Sequence, residues 1–339
     1  SGGGGRGMRI VRKSEEMEKL FVIASKEAEK AFKDPSVFIE KYIENPKHIE
    51  FQILGDKKAN VIHLGERECS IQRKHQKLLE EAPSGALDDR LREIMGSTAV
   101  RIAKAVGYYS AGTVEFLLDS EKNFYFMEMN TRIQVEHPVT EVITGIDLIE
   151  QQIRIAKGEE LKIRQEDIKL SGWAIECRIN AEDVQAGFAP DPGKIDKLSL
   201  PSGPNIRIDT GVQAGSSIVP NYDSMIAKLI VSGKNRKEAI KNCKMALDKV
   251  WIKGTKTTLP FFRMLVRNQK FQDGDFTTAF IEKDLEKYYY NSEYEEMLAA
   301  WLATKLFVEE NLQETSIQID FENGKELSPW LLNKRINQF

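Results

Sequence analysis

Glu128-Met129-Asn130-Thr131-Arg132-Ile133-Gln134-Val135-Glu136-His137-Pro138 is the stretch on which the reading of this chain turns. Glu128, Asn130, Arg132, Gln134 and Glu136 are polar at every second position, so an extended segment would present all five on one face. Acid, amide, cation, amide and acid in line are an odd choice for a merely solvated edge. The row starts where the apolar run Phe124-Tyr125-Phe126-Met127, typical of a buried strand, comes to an end. The pattern predicts an active-site wall at the mouth of a core strand.

Its partner lies just upstream. Thr113-Val114-Glu115-Phe116-Leu117-Leu118-Asp119 has the composition of a second strand, joined to Phe124 by the turn-like Ser120-Glu121-Lys122-Asn123. A four-residue hairpin loop there places Glu115 opposite Glu128. Two carboxylates roughly 5 Å apart repel unless a proton or a cation sits between them. With Asn130 added, the set is two carboxylates and an amide oxygen, hard donors suited to Mg²⁺ shared with phosphate oxygens. The plainer reading, two salt-bridged glutamates on an exposed hairpin, has against it that Glu115 lies within an apolar strand.

The 339 residues suffice for about two domains. Charged residues make up 30% and the net charge is -3, so no nucleic-acid partner is expected. No apolar run approaches the roughly 18 residues of a membrane span, and neither a membrane partner nor a secretory leader is expected. Cys69, Cys177 and Cys243 have no metal-ligand spacing and form no even set, which points to small buried hydrophobes in a reducing cytoplasm.

In chain order, Gly2 to Gly7 read as a linker or a phosphate cradle, with Arg6, Met8 and Arg9 leading into a hairpin at Ile10-Val11. No Gly-Lys-Ser/Thr follows, so this is not a P-loop. Ser14 is expected to cap a helix to Phe32, and Asp34-Pro35 to end it. Val37–Ile43 and Lys47–Leu54 read as strands, the second with Asn60–Leu64 as hairpin mate. His48 at a strand start reads first as structural, with a phosphate contact as the alternative. Glu66 to Lys77 is a dense polar cluster whose Arg73, Lys74, His75 and Lys77 would form an anion-attracting loop, with glutamates 66, 68, 80 and 81 cancelling its bulk field. Asp88–Val106 reads as an amphipathic helix with Leu91, Ile94, Met95, Ile102 and Val106 inward and Gly107 at its end. Asp147 should cap another helix, running to Lys157 and stopped by Gly158. Trp173–Ile179 is strand-like, with Arg178 paired to Glu176 on one face. Met225–Val231 reads as a core strand, followed by a helix that carries Ala239, Ile240, Cys243, Ala246, Leu247 and Val250 at helical spacing. Residues 288–339 look like an appendix, with a helix from about Glu293 to Leu312 and a strand at Ser316–Phe321.

Four stretches together, 2–9, 66–77, 128–138 and Glu176-Cys177-Arg178-Ile179-Asn180-Ala181-Glu182-Asp183, closely resemble biotin carboxylase, the ATP-grasp component of acetyl-CoA, propionyl-CoA and pyruvate carboxylases. The likeness is collinear over roughly 1–287. It implies an α+β chain with an ATP-grasp fold and a biotin carboxylase C-terminal domain. The ATP-grasp part would combine a partial lid lobe with a central antiparallel sheet and flanking helices. The implied division is a lid-lobe remnant over 1–44, an ATP-grasp core over 45–170, the C-terminal domain over 171–287 and an extension over 288–339. By resemblance, Gly3, Gly4 and Gly5 belong to a lid over the ATP phosphates, Glu40, Lys41 and Ile43 match the hinge that receives adenine, and Leu117 belongs to the ATP site. His48, Gln72 and His75 match ribose and phosphate contacts. Glu115, Glu128 and Asn130 match the Mg²⁺ or Mn²⁺ set. Lys77, Arg132, Gln134 and Val135 match the bicarbonate pocket, Glu136 the general base, and Arg178 the arginine beside the biotin enolate.

The implied reaction uses ATP, bicarbonate and biotin on a carrier protein or domain. A carboxyltransferase subunit and a second copy of the chain are the implied partners. The family also carries an upstream domain and phosphate-holding lysines ahead of the glycine run, so the chain as it stands is expected to have an impaired ATP site. Two other readings stay open: a carboxylate-activating ligase like carbamoyl-phosphate synthetase, and an assembly module without turnover. The final carboxyl acceptor is likewise open.

Overall fold

The computed structural model describes residues 7–285, together with 300–301, 303–305 and 307. Residues 1–289 form one compact unit and 290–339 a second. In the second unit the described residues are helical, and the strand expected at Ser316–Phe321 lies outside them.

The first unit is organised by one eight-stranded sheet. Its strands are β1 (Lys47–Gly55), β2 (Val61–Arg73), β3 (Gln76–Ala82), β4 (Ser110–Leu118), β5 (Phe124–Asn130), β6 (Trp173–Asn180), β7 (Ile206–Thr210) and β8 (Met225–Gly233). They lie in the order β7-β8-β6-β3-β2-β1-β4-β5, every neighbour antiparallel. The sheet runs unbroken from β3 to β6, across the boundary expected near residue 170.

Helices cover both faces. On one side α2 (Asp89–Ala105) sits on Ile49, Phe51, Ile53, Val114 and Phe116, while α5 (Arg236–Lys249), α6 (Leu259–Leu265) and α7 (Gln269–Asp273) pack on β6 and β8. On the other side α3 (His137–Thr144) lies against Ala82, Ala174 and Ile230, and α4 (Leu148–Ala156) against Leu54, Leu64 and Ala111. The Asp88 and Asp147 carboxylates accept from Leu91 N and Glu150 N as expected of N-caps. Gly107 (φ +62) and Gly158 (φ +86) end their helices in the left-handed region. The α2 face differs from expectation. Ile94 and Val106 are exposed, and the buried positions are Met95, Gly96, Ala99 and Ala103, because a helix lying flat on a sheet favours small residues at the contact.

The N-terminal lobe departs most from the sequence reading. Residues 8–13 and 37–43 form no strand, since no neighbouring chain offers them a ladder. Phe38 and Ile39 are accordingly 82% and 74% exposed. Ser14 does not cap α1 (Met17–Phe32) but lies in a 3-10 turn ahead of it, its hydroxyl bonded to Glu15. No described helix is long and apolar enough to cross a membrane.

Phe116 locks β4 through edge-on rings, with centroids 6.2 Å from Phe51, 5.5 Å from Phe124 and 6.4 Å from Phe126. Its neighbour Glu115 points to the opposite face. Phe116→Ala is expected to cost about 3–5 kcal/mol, seen as a lower urea midpoint at unchanged m value.

Candidate active site

The site is written across the sheet in register. Arg67 on β2 stands opposite Glu50 on β1, Glu50 opposite Glu115 on β4, and Glu115 opposite Glu128 on β5. Strict alternation in β1 sends Ile49, Phe51 and Ile53 under α2 and turns His48, Glu50 and Gln52 to the other face. That polar face is not solvated either: His48, Glu50, Gln52, Arg67, Thr113 and Glu115 are all buried.

Such a face survives only if every charge is paired. Arg67, wholly buried, donates Nε–H to Glu50 (2.5 Å), Nη1–H to Gln52 (2.6 Å) and Thr140 (3.0 Å), and Nη2–H to Thr113 (3.1 Å) and Gln134 (2.9 Å). One guanidinium thereby ties two strands, α3 and the Gln134 loop to β2. The Lys77 ammonium donates to Glu50, to Glu115 (2.9 Å) and to Glu136 (2.7 Å). Burial opposes charge on both cations, but the Glu50 carboxylate beside each overrides it and holds their pKa values above the usual range. Burial likewise works against the Glu115 carboxylate, yet contacts from His48 (Nε2 at 2.9 Å) and Lys77 keep its pKa well below the ordinary value.

A second charged group adjoins the first. Arg178 Nη2 lies 2.5 Å from Glu80 on β3 and 2.9 Å from Glu136, the residue just ahead of α3. The expected pairing with Glu176 is therefore not formed; Glu80, across the ladder, takes the guanidinium. Burial and Glu50 work against ionisation of Glu136, and Lys77, Arg178 and Arg67 outweigh them, so its pKa is lowered.

The predicted residues fall into three groups. Lys77, Glu115, Asn130, Gln134, Glu136, Arg178 and His48 are joined by direct contacts. Arg132 is exposed, with Nη2 3.5 Å from Asn130 Oδ1, and the Val135 carbonyl accepts from Lys228 (2.9 Å). On the flank of this cluster, Leu117 stands opposite both His48 and Tyr125, and Lys41 donates to the Tyr125 hydroxyl (3.1 Å). Glu40 is exposed and Ile43 partly buried. Gln72 is buried opposite Lys77, and His75 stands exposed at the β2–β3 turn. Gly3, Gly4 and Gly5 lie outside the described residues.

The predicted polar row is corrected in one respect. Strand β5 ends at Asn130, and 131–136 form a loop that Pro138, at the start of α3, turns into a helix. Gln134 and Glu136 reach the site by folding back, not by strand alternation. The Glu66–Lys77 cluster is likewise mostly strand. Only Lys74 (φ +48) and His75 (φ +63) make the turn, both in the left-handed conformation of a two-residue hairpin. The glutamates near it are not a solvated rim. Glu66 binds Arg92, Glu68 binds Ser84, and Glu81 binds Arg236, all buried acids. The β4–β5 loop has five residues, not four; a bulge at Met127 restores the Glu115–Glu128 register.

Glu115, Glu128 and Asn130 fit a divalent cation. The Asn130 amide bridges the two acids, Nδ2 lying 2.9 Å from Glu115 Oε1 and 3.5 Å from Glu128 Oε1, and turning that amide over presents Oδ1 at the same place. Two further groups converge within 4.8 Å, His48–Glu50–Glu115 and Glu50–Cys69–Glu136. In both, the Lys77 ammonium already serves as the counter-cation, and burial keeps Cys69 a neutral thiol.

Sequence reasoning missed the roles of Glu50, Arg67 and Glu80, and gave Glu176 to Arg178 as its ion-pair partner. For Glu50 a signal existed: polar residues alternating with Ile49, Phe51 and Ile53. The Glu80–Glu176 opposition gave none, because nothing local announces that β3 will pair with β6.

Comparison with known proteins matches residues 1–164 to the family described as carbamoyl-phosphate synthase L chain, ATP binding domain, and residues 176–283 to the biotin carboxylase C-terminal domain. Biotin carboxylase 1 of Bacillus subtilis is 55% identical over 283 residues, which are 83% of this chain and 63% of that protein. The mitochondrial propionyl-CoA carboxylase alpha chain of Sus scrofa is 47% identical over 348 aligned positions, covering 99% of this chain and 48% of that protein. Among solved structures, the biotin carboxylase domain dimer of Hydrogenobacter thermophilus 2-oxoglutarate carboxylase, in complex with MgADP, ADP and bicarbonate, is similar at a TM-score of 0.80. It is 54% identical, with 83% of this chain and 62% of that chain covered. The chain thus spans about half to two thirds of the length of these relatives.

Two outcomes follow from the electrostatics. Arg67→Met strands Glu50 beside Lys77 alone and should cost about 3–5 kcal/mol, measured by chemical denaturation. Burial is the main cause that raises the Glu80 carboxyl to about 7. Between the ordinary glutamate value of about 4.3 and about 7 the folded chain keeps a proton that the unfolded chain releases, so this group's stability contribution falls as pH rises. The melting temperature of Glu80→Gln should therefore gain on the wild type between about pH 5 and 8 in a thermal-melt series. A constant gap would contradict this.

Proposed function

The chain belongs to the biotin carboxylase family, and we propose that it houses the bicarbonate and biotin side of an ATP-dependent biotin carboxylation. The single observation that carries the reading is the convergence of Lys77, Arg178 and Gln134 on one carboxylate-lined point beside Glu136.

Glu136 is the base. Its lowered pKa keeps it ionised, and its two oxygens are engaged by Lys77 and Arg178. When bicarbonate enters, Lys77, Gln134 and Arg132 turn donors toward its oxygens. Glu136 loses part of its cationic support, which raises its basicity as it takes the bicarbonate proton. The freed oxygen attacks the γ-phosphorus of ATP, the bond to ADP breaks, and carboxyphosphate forms. Carboxyphosphate divides into CO₂ and phosphate. Phosphate accepts the N1 proton of biotin, and the enolate, held beside Arg178, attacks CO₂. Glu115, Glu128 and the Asn130 amide oxygen would hold Mg²⁺ or Mn²⁺, which supplies charge neutralisation for the phosphoryl group. His48, Gln72 and His75 serve the ribose and phosphates, Glu40, Lys41, Ile43 and Leu117 the adenine, and Gly3 to Gly5 the lid. Residues 1–44, 45–170 and 171–287 then act as lid remnant, ATP-grasp core and C-terminal domain.

Biotin would arrive on a carrier protein or domain and leave for a carboxyltransferase. A homodimer accords with the dimer named for the Hydrogenobacter domain. Three buried free thiols accord with a reducing compartment such as the cytoplasm. The porcine match takes in nearly all of residues 290–339, whereas the Bacillus match leaves about a sixth of the chain unmatched. That favours propionyl-CoA as the final acceptor, with 290–339 serving partner contact.

Phosphate release from MgATP and bicarbonate, with and without free biotin, by this chain and by a version joined to the upstream segment that its relatives carry, tests the reading. Biotin-stimulated release that falls by about 10²- to 10⁴-fold in Glu136→Gln is expected. Turnover that ignores biotin would favour the carbamoyl-phosphate synthetase-like ligase. A folded chain without turnover that binds no MgATP would favour an assembly module.

A further inference from the structure

Glu80 on β3 and Glu176 on β6 stand directly opposite one another, both wholly buried. Cross-strand neighbours on one face lie about 4.5–5.5 Å apart, and two dry carboxylates at that distance do not both ionise. The groups that face them are few. Arg178 on β6 is ion-paired to Glu80, and its Nη2 also serves Glu136. Lys77 on β3 is taken up by Glu50, Glu115 and Glu136. Lys228 on β8, opposite Arg178, binds the Val135 carbonyl and Asp209. The remaining neighbours, the Cys69 and Cys177 thiols, are held neutral by burial.

Glu176 is thus left over. Among the described residues the oxygens of both acids and the buried Nε–H of Arg178 lack a well-aligned hydrogen bond, but Glu80 has its close ion pair with Arg178 and Glu176 has none. Burial first, and then the charge on Glu80, push the Glu176 carboxyl well above the ordinary range, so it is the member of the pair that keeps a proton.

We propose that Glu80 is a positioning residue for Arg178, its carboxylate form holding the guanidinium against Glu136, with Glu176 as the proton-bearing neighbour across the ladder. The proposal rests on the biotin carboxylase reading, since biotin turnover is what Arg178 serves there. A guanidinium anchored from behind presents its free edge to a substrate without having to be ordered at the moment of reaction.

The test, run at about pH 8 where Glu80 is ionised, is ADP formation from MgATP and bicarbonate by the full chain, with and without free biotin, in wild type, Glu80→Gln, Glu80→Asp and Glu176→Gln. Glu80→Gln should lower the biotin-dependent kcat about tenfold with KM for ATP and bicarbonate unchanged, and Glu80→Asp should recover part of the loss. Glu176→Gln, an amide in place of a neutral acid, should stay within about twofold. The wild-type-minus-Glu176→Gln infrared difference spectrum should contain the carbonyl stretch of one protonated carboxyl. An unaltered kcat in Glu80→Gln, in an enzyme whose wild type responds to biotin, overturns the proposal. Biotin-independent turnover, or no biotin-dependent turnover in a version joined to the upstream segment that its relatives carry, overturns the underlying reading instead. Should Glu80→Gln fail to fold, Glu176→Gln carries the test: a tenfold fall in kcat, or a wild-type-minus-variant infrared difference spectrum without a protonated-carboxyl band, overturns the proposal.

Discussion

Everything in this unit answers to one constraint: acids gathered on one dry face of a sheet must be matched by cations placed among them. Glu50, Glu80, Glu115, Glu136 and Glu176 are all buried there. Arg67, Lys77 and Arg178 are the cations that reach them. Desolvating a carboxylate costs several kcal/mol, recovered only with close partners in good geometry. The helices, the loop after β5 and the strand order are therefore as much devices for neutralising charge as for covering hydrophobic surface.

On the proposed reading, a base surrounded by cations is ionised but weak, and lending those cations to an incoming anion would make it stronger at the moment it is needed. Lys77 and Arg178 each touch Glu136 and at least one other acid, so they can move between partners without being left bare. Arg67 has no such freedom. With five hydrogen-bond contacts it is the most firmly held of the three cations.

Much of this was legible in the chain, unevenly and for physical reasons. The Glu115–Glu128 opposition followed from a short loop between two apolar strands, although the structure reaches it with a longer loop and a bulge. Asp88 and Asp147 announced their helices through local hydrogen bonding. Val37–Ile43 read as a strand because strand propensity is local, whereas a ladder needs a neighbour, and among the described residues none pairs with it. Glu128 to Glu136 read as one row because alternation ignores the helix that Pro138 begins. The Lys74–His75 turn lacks the Asn-Gly chemistry that would have marked a two-residue hairpin. The role of Glu80 was invisible for a different reason: it depends on a partner strand about ninety positions downstream, which no local window contains.

The seam between β3 and β6 also bears on how such proteins can be recombined. The two family matches meet between residues 164 and 176, an inviting crossover for a chimera of two relatives. Yet the sheet crosses that boundary, with Leu79 laid on Cys177, Glu80 on Glu176 and Arg178 clasped by acids from the first segment. A graft of the second segment would bring one parent's guanidinium to another parent's carboxylates. The two halves are thus heritable as a pair. Shuffling should succeed only where both parents carry the same charges on both sides of the seam, or where β3 and the loop after β5 travel with the graft.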